Sequence, residues 1–175
     1  MAKKKGLPFV VQPRLKPITE QVGTEDSGII EIERKGYLTV GEKAMVQSAM
    51  QNSAGLAEVF VKARSIGAQA GKTGSEVLED ISKDPAPQYL EIYEAEVSWI
   101  VNTMIAHEQK QRLVCAVSLI VSRIDPDWDV TQPLHPDIEE GLYKLYRDEE
   151  NRSVEALEAS AENASKAQEN AKGKG

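Results

Sequence analysis

Gln88–Ile124 reads QYLEIYEAEVSWIVNTMIAHEQKQRLVCAVSLIVSRI, 37 residues without a glycine or a proline. Leu90, Tyr93, Val97, Ile100, Val101 and Met104 recur at three- and four-residue spacing, and so do Leu113, Val117, Ile120, Val121 and Ile124. That period puts each set on one face of a helix and makes the chain mainly α. Between the two stripes lies His107-Glu-Gln-Lys-Gln-Arg112, six polar residues. Either one long helix crosses solvent there or two helices meet at a turn; a polar gap of that length interrupts the buried face, which favours two helices.

Upstream, Thr39-Val-Gly-Glu42 and Thr73-Gly-Ser-Glu76 are capping boxes, in which the threonine hydroxyl accepts from a backbone N–H and the glutamate reaches back. A helix is expected after each. The first carries Val46, Ala49, Met50, Ser53, Ala57, Phe60 and Val61 as its stripe and fades at Gly67 and Gly71. The second runs to about Lys83 on Val77, Leu78 and Ile81, and Asp84-Pro-Ala-Pro87 ends it. Further upstream, Ile29-Ile-Glu-Ile-Glu-Arg34 alternates as a short strand after the turn-forming Gly23-Thr-Glu-Asp-Ser-Gly28. A lone strand needs a mate, from Phe9–Val11 or from a second subunit. Residues 1–17, with Pro8, Pro13 and Pro17, read as an extended basic arm.

Downstream, Asp125-Pro126 closes the long helical stretch. A last helix is expected from Pro136, with Asp137, Glu139 and Glu140 in its first turn and Ile138, Leu142, Leu145 and Tyr146 on its apolar face. Residues 151–175 offer only Val154 and Leu157 as large apolar groups and read as a frayed extension of that helix leading into a flexible Ala/Glu/Ser/Asn-rich tail. The expected architecture is a helical bundle of about four to five helices with one short β-strand or hairpin near the N-terminus. It forms a single domain over residues 18–150.

The composition excludes several classes. The 175 residues are 41% hydrophobic and 5% aromatic, with one cysteine, Cys115. That rules out an internal disulfide framework and a cysteine-built zinc site. The mean hydropathy is −0.41, and no apolar run approaches the ~20 residues a membrane span requires. The basic start lacks the apolar region of a secretory signal. The net charge of −7 is uneven: residues 1–16 carry five positive charges and no acid, residues 17–150 carry 12 basic against 24 acidic side chains, and residues 151–175 carry four of each. An acidic body repels a phosphate backbone, which argues against nucleic-acid binding.

Candidate chemical motifs fail on their spacing. Gly71-Lys72-Thr73 resembles the end of a phosphate loop, but the first glycine position is Ile66. Asp125-Pro-Asp-Trp-Asp129 has calcium-loop spacing, yet Val130 stands where the turn needs glycine and Pro136 where it needs glutamate. His107-Glu108 lacks the second histidine of a zinc helix, since position 111 is Gln111, and His135 sits in a separate loop. Cys115 lies in an apolar run and reads as a buried structural thiol. No catalytic, metal or cofactor residue is nominated.

The C-terminal block is more informative as a unit: an apolar helix ending at Arg123, then Asp125-Pro-Asp-Trp128, Thr131 and Leu134, then an acidic amphipathic helix. An αα-hairpin of this kind buries two apolar faces together, with an indole fixing the corner. The block resembles the C-terminal part of bacteriophage tail assembly chaperones over roughly 35 residues. The matching positions are Arg123, Asp125, Pro126, Trp128, Leu134, Ile138, Leu142, Leu145, Tyr146, Glu149 and Glu150. Asp129-Val130 and the long N-terminal part depart from the pattern. The resemblance implies a non-enzymatic protein of the host cytoplasm that binds the helical tape measure protein and tail tube protein during tail assembly. It nominates Trp128, Leu134, Ile138, Leu142, Tyr143, Leu145 and Tyr146 as partner-binding residues. It also implies a second, frameshifted length, for which Lys172-Gly-Lys-Gly175 is a candidate slippery site. The competing readings are a structural protein retained in the virion and a small helical regulatory or ligand-binding protein. Wide apolar helix faces and an unpaired strand also point to a homo-oligomer.

Overall fold

The computed structural model describes residues 18–51 and 54–172; the N-terminal arm, Ser53 and the end of the Lys172–Gly175 run lie outside them. The fold is mainly helical, with five helices and an N-terminal antiparallel hairpin. The hairpin strands are β1 (Ile18–Thr24) and β2 (Gly28–Arg34). The helices are α1 (Val40–Gln51), α2 (Ala54–Ala70), α3 (Gly74–Ile81), α4 (Glu94–Arg123) and α5 (Pro136–Lys172), with a short 3-10 turn over Gln88–Tyr93. Among the described residues no helix is long and apolar enough to cross a membrane.

The mate of the Ile29–Arg34 strand is neither the arm nor a second subunit. It is Ile18–Thr24, paired Val22 to Ile30 and Glu20 to Ile32. The alternation is the one expected of a half-buried hairpin: Val22 and Ile32 point inward, while Gln21, Glu31 and Glu33 face out. Glycine dominates the turn because Gly23 and Gly28 hold φ of 104° and 84°. The inward face rests on α5. There Gly141 lets the backbones approach, since a Cβ on it would fall 2.5 Å from Val22 Cγ1.

Both capping boxes form. Glu42 N–H donates to Thr39 Oγ1 at 3.2 Å and Thr39 N–H to Glu42 Oε2 at 2.6 Å; Thr73 and Glu76 repeat the exchange. The expected stripe of the first helix does not hold on α2, where a different face is packed. On α2 the buried side chains are Val59, Ala63 and Ile66, while Phe60 and Val61 are 61% and 67% exposed. Small residues decide the packed face: α3 crosses so close that Gly74 lies against the Arg64 backbone.

The long central stretch is one helix, not two. α4 runs 30 residues straight through His107–Arg112. A helix satisfies its own backbone hydrogen bonds, so it crosses a polar gap without cost provided no Gly or Pro breaks it. Arg112 consolidates the crossing by pairing with Glu108 at 3.1 Å and with Glu140 of α5 at 2.6 Å. The two stripes serve two separate cores. One gathers Val59, Ala63, Ile66, Val77, Leu90 and Ile100 from α2, α3, the 3-10 turn and α4. The other gathers Val22, Ile32 and Leu38 with Cys115, Ala116, Leu119 and Ile120 of α4 and Ile138, Leu142, Leu145 and Tyr146 of α5. Each fully buried Leu or Ile among them contributes about 1.5–3 kcal/mol. α5 starts at Pro136 as expected and continues to Lys172, so the helical extension beyond Glu150 takes up most of the stretch read as a tail.

Candidate functional site

The interior holds few charges, and each has a defined set of partners. At the end of α4, Arg123 is fully enclosed between two fully enclosed glutamates, Glu42 of α1 and Glu149 of α5. Its Nε donates to Glu42 Oε1 at 2.6 Å and its Nη2 to Glu42 Oε2 at 3.1 Å. Nη2 also donates to Glu149 Oε2 at 2.7 Å, and Nη1 to Glu149 Oε1 at 3.2 Å and to the Glu33 carbonyl at 2.9 Å. All five guanidinium N–H groups are thereby used. Glu149 also accepts the backbone N–H of Lys35 at 2.8 Å and of Gly36 at 3.0 Å, while Glu42 accepts the Ser122 hydroxyl at 2.6 Å. Burial pushes the Glu42 carboxyl up. The hydrogen bonds from Arg123, Ser122 and the Thr39 N–H outweigh it and hold the group down at about 2. Burial likewise opposes the Arg123 cation, and the two glutamates raise its pKa above the ordinary guanidinium value.

The other core has a polar centre at Asp80, buried on α3, which accepts from Lys72, Lys83 (2.7 Å) and the Tyr89 hydroxyl (2.9 Å). Hydrogen bonds from Lys72, Lys83 and Tyr89 hold its carboxyl well below the usual range. Burial, and then the bond to Asp80, push the Tyr89 hydroxyl up to about 12. Cys115 is 1% exposed, and burial pushes its thiol up to about 12, which keeps it protonated and inert. Asp125 and Asp129 bond the N–H groups of Asp127 and Thr131 at 3.0 and 2.9 Å, as turn caps. Among the described residues no group of three or more His, Cys, Asp or Glu is gathered for a metal ion.

Sequence reasoning saw Glu42 only as a cap and passed over Asp80. Both carried a signal. Asp80 is three residues from Val77, Glu42 four from Val46, and Glu149 four from Leu145, so each acid interrupts an apolar stripe in phase.

The seven nominated partner-binding residues fall into two groups. Ile138, Leu142, Leu145 and Tyr146 are buried in the protein's own core, because the corner after α4 folds their face back onto α4 and the hairpin. They are therefore structural here and not a docking surface. Trp128, Leu134 and Tyr143 are half-buried against the same core. The Trp128 indole N–H is enclosed without an acceptor among the described residues, and Arg112 stacks over Tyr143 with Cζ 5.4 Å from the ring centroid.

The open apolar surface lies elsewhere, along the first half of α4. A groove of about 440 Å³ runs between α3 and α4, walled by Leu56, Leu78, Ile81, Val101, Met104 and Ile105. A second, of about 660 Å³, lies between the 3-10 turn and α4, walled by Ala86, Pro87, Leu90, Val97 and Val101 and edged by Glu91 and Glu94. Comparison of the chain with protein-family models, with curated proteins and with solved structures returns no significant match.

Proposed function

We propose that the protein is a non-enzymatic assembly chaperone or adaptor of the bacteriophage tail type, which binds helical tape measure protein and tail tube components before the tail polymerises. The observation that carries this reading is the contrast between interior and surface. The buried charges Glu42, Asp80, Arg123 and Glu149 are engaged in holding secondary elements together, while two open grooves along the first half of α4 are walled mainly by apolar side chains. Such a surface suits recognition of a helix face. The block that resembles tail assembly chaperones also forms one physical unit, since Arg123 and Glu149 bond directly and Trp128 and Leu134 pack on the same core.

Co-expression with a phage tape measure protein tests the reading. The expected result is a soluble complex that co-purifies with this chain and aggregates without it. Mass spectrometry of purified particles provides the opposing outcome. Stoichiometric presence in mature particles overturns the chaperone assignment in favour of a structural virion protein.

A further inference from the structure

We propose that the acid-rimmed apolar surface on the first half of α4 docks a basic amphipathic helix from a partner protein. The inference deepens the chaperone reading and rests on it only for the premise that the partner is a protein.

The surface has the form of a helix seat. Val97, Val101, Met104 and Ile105 recur at i, i+4, i+7 and i+8 on α4, and Met104 and Ile105 are 45% and 48% exposed. The two grooves meet at Val101, which lines both. From Val97 to Glu108 the stripe spans about 17 Å, matching about three turns of a facing helix. Helix α5 covers the other half of α4, through Cys115–Ile120. Methionine at the centre allows adjustment to differently shaped apolar side chains.

Charge selects the occupant. Residues 76–108, which form the walls, carry eight of the 28 acidic side chains and one of the 21 basic ones, so twenty of each remain elsewhere. The segment thus holds −7 of the −12 carried by residues 17–150. Asp80 is neutralised internally by Lys72 and Lys83, and Glu108 shares Arg112 with Glu140. Glu108 nevertheless remains 59% exposed at the first groove, Glu79, beside Leu78 in the chain and paired with Lys83 at 3.5 Å, stays 71% exposed, and Glu91 and Glu94 edge the second groove. Two copies of this face would repel each other, and so would a nucleic acid or an anionic membrane. A helix with one apolar face flanked by Lys or Arg satisfies both the grooves and the rim.

Fluorescence anisotropy with a labelled synthetic peptide of about 18 residues, leucine and lysine set at helical spacing, tests this directly. A leucine–glutamate peptide of the same pattern and a composition-matched scramble of the lysine peptide serve as comparators. The patterned basic helix is expected to bind saturably. Binding should weaken about tenfold or more in the double variant Met104→Glu/Ile105→Glu and in Glu79→Lys/Glu108→Lys. It should be unchanged by Glu25→Lys on the distant hairpin turn, with thermal melting showing each variant folded; Met104→Ser offers a milder change at the same spot. Equal affinity for the scramble, or undiminished binding by Met104→Glu/Ile105→Glu, overturns the proposal. A concentration-dependent dimer abolished by that double variant also overturns it, by assigning the face to a second copy. Failure here with tape measure co-purification intact removes this surface only; the converse removes the tail-assembly reading and leaves the helix seat standing.

Discussion

Arg123 and Glu149 lie 26 residues apart in the chain and meet at 2.7 Å between Nη2 and Oε2, both fully enclosed. Glu149 uses its other oxygen to hold the backbone of Lys35 and Gly36, so one carboxylate ties α5 to both α4 and the end of the hairpin. With Glu42 on the far side of the guanidinium, α1 joins the same knot. The arrangement fixes where four elements converge, which apolar packing alone leaves adjustable.

Removing one member of this knot exposes its cost. Glu149→Ala leaves two backbone N–H groups without an acceptor and halves the neutralisation of Arg123. Breaking a buried pair in this way costs about 3–5 kcal/mol. Arg123→Met is expected to be at least as damaging, since Glu42 and Glu149 then face each other without a cation. Urea denaturation of the wild type and both variants measures the loss, and a change below about 1 kcal/mol in each would show the knot to be dispensable.

Acid should loosen the same knot. The Glu42 carboxyl is ordinarily near 4.5 and is held at about 2 in the folded chain. A depressed folded value means the stabilisation is complete above pH 4.5 and drains away as pH falls toward about 2. Thermal melts between pH 6 and 2 should therefore show a falling midpoint in that window. Glu42→Gln, already less stable, should fall less steeply; parallel slopes for the two proteins would contradict the assignment.

Local signals in this chain were readable because they depend on near neighbours. Thr39–Glu42, Thr73–Glu76 and the Pro136 helix start all form where the spacing placed them. What was hidden depended on distant residues. The polar run 107–112 looked like a break because amphipathicity was taken to demand one continuous core, whereas α4 serves two. Phe60 and Val61 looked buried because their spacing continues the apolar stripe, whereas the neighbours of α2 pack on Val59, Ala63 and Ile66. The C-terminal apolar face looked like a partner surface because a sequence does not say whether an amphipathic face is already covered by its own chain. Here Ile138, Leu142, Leu145 and Tyr146 are covered, and the open face is on α4.

The contact between Gly141 and Val22 gives a cleaner test of packing. Alanine ordinarily stabilises a helix interior by about 1 kcal/mol over glycine. At position 141 the added Cβ would meet Val22 Cγ1 at 2.5 Å, so Gly141→Ala should instead destabilise by about 1–3 kcal/mol. Val22→Ala removes that methyl group. The double variant should therefore be more stable than the sum of the two single losses, a coupling that additive behaviour in chemical denaturation would refute.

The continuity of α4 is measurable in solution. Spin labels at exposed Glu94 and Lys110 span sixteen helical rises, about 24 Å along an unbroken axis. Pulsed electron–electron distance measurement should give one narrow population near that value. Ala106→Pro, with the labels kept at Glu94 and Lys110, removes the bond from N–H of residue 106 to the carbonyl of Asn102 and should broaden the distribution. Its cost should be about 3 kcal/mol in stability. Among the described residues α4 is the one helix that supplies buried side chains to both cores, so a kink at the waist changes their relative placement. A wild-type distribution already broad would restore the two-helix arrangement that the polar run suggests.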